Sequence, residues 1–199
     1  MPRTRTPHLR SLCVFCGSSP GSDPAHRAAA ARLGATMAAE GVTLVYGGGH
    51  LGMMGALAEA VMAAGGRVVG IIPEHLTRVE KAYVDISELH VVDSMHTRKR
   101  MMFERADAFA VLPGGMGTLD ETFEILTWKQ LRLHNKPIVV VNQGGYWQPW
   151  LDLASHIIGQ GFAHADTARL YSVVEDVDQV LTKARDGIVM AAGGRPQLF

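Results

Sequence analysis

The chain has 199 residues, 47% of them hydrophobic and 19% charged, which fits one soluble globular domain able to bury a sizeable core. Its 19 Lys and Arg balance 19 Asp and Glu, so there is no global electrostatic case for binding nucleic acid or an anionic membrane surface. No apolar run approaches the roughly 18–20 residues that span a bilayer, and the expected location is the cytoplasm.

Residues 1–10 carry Arg3, Arg5 and Arg10 but no apolar segment or cleavage pattern, and they read as a basic tail. Residues 12–16 form a short apolar run, the first expected strand. It contains both cysteines, Cys13 and Cys16. Two thiols cannot complete a four-thiolate zinc site, and a strand offers no helix N-terminus to stabilise a thiolate, so both read as buried structural residues and no metal is expected. The turn Gly17-Ser18-Ser19-Pro20-Gly21 follows, and Asp23 is placed to cap an alanine-rich helix through Glu40. A second strand at 42–46 leads into Gly47-Gly48-Gly49-His50-Leu51-Gly52 and a helix to Ala64. Strands follow at 67–72, closed by Pro73, and at 88–92, then a helix over 95–105. Strands at 108–112 and 137–142 flank a long helix whose apolar positions are Phe123, Ile125, Leu126, Trp128 and Leu131. A last helix pair covers 150–159 and 176–184. The expected organisation is a tail at 1–10, one domain at 11–185 and a C-terminal tail at 186–199.

Strands alternating with helices predict an α/β fold, a single doubly wound domain with a mostly parallel sheet flanked by helices. Ligands of such sheets bind beyond the carboxyl ends of the strands. Three glycine-rich turns, at 17–21, 47–52 and 114–117, should therefore face one crevice and accept an anionic ligand of nucleotide size. The spacing Gly47-x-Gly49-x-x-Gly52, with Glu74 about twenty residues on, also matches a dinucleotide fingerprint. That reading leaves the third turn unexplained, and none of the turns continues into the Gly-Lys-Ser/Thr of a P-loop.

The third turn is the most informative. Pro113-Gly114-Gly115-Met116-Gly117-Thr118-Leu119-Asp120-Glu121 joins a buried strand to a helix, the arrangement in which bare glycines and helical N–H groups hold phosphate. It also delivers Glu121 into the start of that helix. Thr118 and Glu121 can be read simply as a capping box. The functional reading is that Glu121, with Glu124 three residues on, works on the sugar of a phosphorylated ligand, away from the phosphate it would repel. Met95, Arg98, Lys99 and Met102 share one helical stripe; the plain reading of Arg98-Lys99-Arg100 is a solvated basic face, and the sharper one is a nucleotide-binding wall. With a nucleoside 5′-monophosphate, the phosphate would sit on the N–H groups of residues 115–118. Glu121 would then stabilise positive charge developing at C1′ as an N-glycosidic bond breaks, and Arg98 would steady phosphate or the departing base.

The same run resembles the PGGxGTxxE signature of the LOG ("Lonely Guy") family of cytokinin-activating phosphoribohydrolases. Met95-His96-Thr97-Arg98-Lys99, Phe15-Cys16-Gly17-Ser18-Ser19, Tyr46-Gly47-Gly48-Gly49 with Gly52-Met53-Met54-Gly55, and Gly70-Ile71-Ile72-Pro73 match further motifs, over about residues 10 to 180. The resemblance implies a Rossmann-like fold and hydrolysis of cytokinin riboside 5′-monophosphates to free base and ribose 5-phosphate, without metal or organic cofactor. It implies a homodimer whose partner helps wall the base pocket, and the Met-rich segment around Met101, Met102 and Phe103 is the local motive for expecting dimerisation. It makes Arg98 and Glu121 the catalytic pair. It makes Glu80, Lys99, Gly115, Met116, Gly117, Thr118, Leu119, Asp120 and Thr127 substrate contacts, and Ser18, Gly48, Met95 and Glu124 further candidates. The lysine decarboxylase label often given to such chains has no support here, because no lysine sits in a recognisable pyridoxal-phosphate setting. Two alternatives stand beside this expectation: a general AMP or purine-nucleotide phosphoribohydrolase, and a non-catalytic nucleotide carrier or sensor.

Overall fold

The computed structural model describes residues 8–193. Seven strands, β1 (Ser11–Phe15), β2 (Thr43–Tyr46), β3 (Val68–Pro73), β4 (Glu88–Val92), β5 (Ala108–Val111), β6 (Ile138–Val141) and β7 (Ser172–Val174), form one sheet in the order β4-β3-β2-β1-β5-β6-β7. Every neighbouring pair is parallel, so the sheet is wholly and not just mostly so. The order reverses between β1 and β5, which creates the switch-point crevice of doubly wound sheets there.

The inner strands read as near-continuous apolar runs because both faces are covered. Along β1, Leu12 and Val14 enter the core under α1 (Pro24–Ala39), α2 (Gly52–Ala63) and α6 (Val180–Gly193). Cys13 and Phe15 enter the opposite core, under α3 (Met95–Arg105), α4 (Met116–Gln130) and α5 (Gln148–Gly159). Cys13 and Cys16, three apart on an extended chain, thus fall in different cores, and both are buried free thiols. Burial pushes each thiol up, further from a reactive thiolate. Asp23 caps α1 as its sequence suggests, accepting from the Ala25 N–H at 2.8 Å with Pro24 in the first turn.

Several expectations are corrected. Residues 1–7 and 194–199 of the expected tails lie outside the described residues. Leu9, however, is buried, and the Arg10 N–H bonds Asp107 at 2.9 Å, so the chain is anchored before residue 11. At the other end α6 runs through Gly193, past the expected limit at 185. β7 has three residues, too few to show a period in sequence. Met102 is fully buried, while Met101 and Phe103 are partly buried and pack on the same core.

Candidate active site

The three glycine turns meet at the switch point and are stitched to one another. Gly17 donates its N–H to the Pro113 carbonyl (3.1 Å), and its own carbonyl accepts from Met53 (3.1 Å) and Met54 (3.3 Å) at the start of α2. There is no room for side chains at these crossings. A Cβ on Gly114 would lie 2.9 Å from Gly17 N, and one on Gly52, at φ 60°, would lie 2.4 Å from Ser18 C. This stitching removes the dinucleotide reading: the N–H groups that would receive a pyrophosphate at α2 are bonded to Gly17. Gly48 meanwhile packs its left-handed backbone on Ile71 and Ile72, and Glu74 is exposed in a short 3-10 turn.

α4 keeps its N-terminus available. Gly115 is the N-cap and makes no side-chain cap, so Met116, Gly117 and Thr118 are the first helical residues, whose N–H groups a helix leaves without internal acceptors. Thr118 and Glu121 consequently do not form a capping box; they lie inside the helix, Thr118 in its first turn and Glu121 in its second. Both are buried. The Thr118 hydroxyl oxygen sits against Gly114, where a Cβ would be 2.1 Å away, and Tyr146 steadies the same turn by donating to the Gly114 carbonyl at 2.7 Å.

Arg98 enters from α3, which Ser94 caps by accepting from the Thr97 N–H at 3.2 Å. Although it begins a basic run, Arg98 is only 4% exposed. One guanidinium nitrogen donates to the Gly47 carbonyl at 3.0 Å and stands 3.5 Å from Glu80 Oε2. Its buried Nε finds no acceptor among the described residues. Glu80 is brought over the crevice by backbone bonds: His50 N–H donates to the Glu80 and Lys81 carbonyls, and Tyr83 N–H to Gly48.

Together these groups line a cavity of about 320 Å³, within the range of small-molecule sites, about 300–1,000 Å³. Of the residues expected from sequence, Ser18, Glu80, Met95, Arg98, Gly115, Met116, Gly117, Thr118 and Glu121 line it. Val14, Cys16, Gly17, Gly47, Met54 and Leu76 also do. Gly17 and Gly47 belong to turns that the sequence marks; nothing local marks Met54 or Leu76, which arrive by folding.

The remaining expected residues are not among its lining. Gly48 is packed as described, and Leu119 leans on the core under α3 and α5. Lys99 stands 3.2 Å from Asp120 and 3.3 Å from Glu124, so these three pair with one another. Glu124 thus faces Lys99, whereas Glu121 lines the cavity. Thr127 lines a separate apolar cleft between α4 and α5, and Trp128 packs edge-on against Phe103.

The electrostatics of the cavity centre on Glu121. Burial pushes its carboxyl from the usual 4.5 up to about 7, against the restraining charge of Arg98 and with further upward pressure from Glu80 and Asp120. A carboxylate poised near neutrality can hold or release a proton at working pH.

A parallel α/β sheet that places a helix N-terminus, a buried guanidinium and a tuned carboxyl in one switch-point cavity defines a Rossmann-like protein with a site of small-molecule size. Residues 54–184 match the sequence model of the family described as "Possible lysine decarboxylase". The cytokinin riboside 5′-monophosphate phosphoribohydrolase of Rhodococcoides fascians is 43% identical over 90% of this chain and 91% of its own length. The enzyme of the same name, LOG, from Oryza sativa subsp. japonica is 40% identical over 83% of this chain and 69% of its own. The chain belongs to this LOG family, whose named relatives are hydrolases, not decarboxylases. Among solved structures, the molybdenum cofactor carrier protein of Chlamydomonas reinhardtii shares the fold, with a TM-score of 0.69 at 20% identity over 91% of this chain and 99% of its own.

Proposed function

We propose that this protein hydrolyses the N-glycosidic bond of cytokinin riboside 5′-monophosphates, releasing the free base and ribose 5-phosphate. The observation that carries the reading is the juxtaposition, in one cavity, of the α4 N-terminus with buried Glu121 and Arg98, in a chain 43% identical to a relative of that name. The 5′-phosphate rests on the N–H groups of Gly115, Met116, Gly117 and Thr118, where the helix dipole favours an anion. This sets the ribose beside Glu121.

As the C1′–N bond lengthens, positive charge grows on C1′ and the ring oxygen, and the ionised Glu121 stabilises it. Glu121 also orients the attacking water. Water oxygen bonds to C1′, the bonding pair leaves with the base nitrogen, and the proton lost by water passes through the carboxylate to the base. Arg98 offsets negative charge on the departing base or the phosphate, and Glu80 holds Arg98. Water is the only co-reactant, and no cofactor is needed. We place the reaction in the cytoplasm. We assign the protein a homodimeric state, with exposed Phe123, Leu153 and Phe162 beside the α4–α5 cleft as apolar surface for it.

Chromatography of products from isopentenyladenosine monophosphate, AMP and the dephosphorylated riboside tests the proposal. Base from the first, little from AMP and none from the riboside is expected. Equal release from AMP would make the protein a general nucleotide hydrolase. Binding without release from any of them would make it a carrier.

A further inference from the structure

We propose that Tyr146 is a positioning residue for the anion site: by holding the Gly114 carbonyl it fixes the direction of the Gly115 N–H, and so sets how tightly the protein takes a phosphate group. The inference rests on the reading of the α4 N-terminus as the phosphate seat. The phenol hydroxyl donates to the Gly114 carbonyl at 2.7 Å. That carbonyl and the Gly115 N–H belong to one peptide unit, and no peptide bond among the described residues is cis. A trans peptide sends its C=O and N–H in opposite directions. With the carbonyl held by Tyr146, which is not among the cavity's lining, the N–H of Gly115, which is, points the opposite way.

This peptide unit needs a latch because glycine stands on both sides of it. Its rotation changes ψ of Gly114 and φ of Gly115 together. Gly115 sits at φ −95°, and a half-turn of the unit would carry it to positive φ, where glycine goes at little cost. Nothing crowds Gly115, since a Cβ there would meet no atom within 4 Å. A flipped unit would present the Gly114 carbonyl oxygen where the N–H had been, an acceptor facing an anion. Tyr146 is itself firmly placed from another part of the chain. Asn142, just after β6, accepts from the Trp147 N–H through its buried side-chain oxygen at 2.8 Å, and its carbonyl accepts from the Gly145 N–H at 3.0 Å. The phenol ring meets His26 of α1 and Trp147 edge to face, at ring-centroid distances of 5.3 and 4.8 Å.

The test uses Tyr146→Phe, which removes only the hydroxyl, with Gly115→Ala and the double variant, all in the full chain. For Tyr146→Phe, calorimetry should show ribose 5-phosphate bound about three- to tenfold more weakly, the scale of one neutral hydrogen bond, and isopentenyladenine bound within about twofold of wild type. KM for isopentenyladenosine monophosphate should rise by the same factor with kcat nearly unchanged, the signature of lost uniform binding. In resting protein, nitrogen-15 relaxation dispersion at the Gly115 amide should show microsecond-to-millisecond exchange that wild type lacks. Gly115→Ala adds a methyl group in open space at a φ that alanine accepts, and it opposes the flipped state. In that background Tyr146→Phe should cost less than about twofold in ribose 5-phosphate binding, and the exchange should vanish. Equal weakening of ribose 5-phosphate and base would mean general loosening of the site. Unchanged ribose 5-phosphate binding with a quiet Gly115 amide would make the bond incidental. Either result overturns the proposal. Wild type that binds no ribose 5-phosphate would sink the functional reading alone, and the ligand-free exchange measurement would then decide for or against the latch.

Discussion

Glu121→Gln should make the protein inactive and, at alkaline pH, more stable. Burial and neighbouring charges lift the Glu121 carboxyl from 4.5 to about 7 in the fold, with only 9% of the residue exposed. A carboxyl raised in this way binds its proton more tightly folded than unfolded. Its contribution to stability is thus complete below the unfolded value and is lost as pH rises through the folded one. Displacement from 4.5 to about 7 corresponds to about 3 kcal/mol at 1.36 kcal/mol per pH unit. Between pH 5 and pH 8, wild type should lose about 2–3 kcal/mol through this one group. The amide of the Glu121→Gln variant has no proton to lose, so that protein should be spared. Urea unfolding followed by the fluorescence of Trp128, Trp147 and Trp150 at both pH values reads the gap between the two proteins, and subtracting the gaps cancels the part of the substitution that does not titrate. Opening of that gap by about 2–3 kcal/mol in favour of the Gln variant is expected. A gap that stays constant within about 0.5 kcal/mol would mean that Glu121 ionises ordinarily, and the argument for a tuned catalytic carboxyl would fall with it.

The same Glu121→Gln protein should retain nucleotide binding while losing turnover by at least about a hundredfold, the scale of a lost electrostatic partner; turnover within threefold of wild type in the chromatographic assay would remove Glu121 from the chemistry. Arg98→Ala leaves Glu80 and Glu121 without their buried cation, so both kcat and nucleotide affinity should fall and Glu121 should titrate at still higher pH; unchanged values of both constants would place Arg98 outside the reaction. Gly47→Ala puts a Cβ 2.0 Å from an Arg98 guanidinium nitrogen and must displace it, so it should lose activity nearly as Arg98→Ala does. Wild-type kcat in that variant would show that the Gly47 contact does not fix Arg98. Light scattering at micromolar concentration should give about twice the 21.5 kDa chain mass, and a monomeric value would refute the homodimer.

Much of the fold is legible in sequence because strands covered on both faces are apolar without interruption, as 108–112 and 138–141 are, and because glycine and proline punctuate their ends. β7 is not: a three-residue edge strand has neither the length nor the period to be seen. The capping-box reading of Thr118 and Glu121 fails for a related reason. A cap is defined by where the helix begins, and that is fixed at Gly115 by the meeting of the β1 and β5 turns, through the Gly17–Pro113 bond, and not by local pattern. Arg98, Lys99 and Arg100 are consecutive cations of one helix. The first is buried in the cavity, the second is clamped between carboxylates and the third is exposed, and only the packing of α3 tells them apart.

The sequence by itself determined the α/β class, the order of the six longer strands and the convergence of glycine turns at one sheet edge. Those features follow from chain-local physics: apolar period, turn chemistry and the steric freedom of glycine. Tertiary structure decided which charges are taken out of water. Glu121 is tuned to about 7 because β1 and α3 close over it and bring Arg98 and Glu80, distant in sequence, to the same cavity. Burial and long-range charge are properties of the assembled interior, and no stretch of sequence contains them.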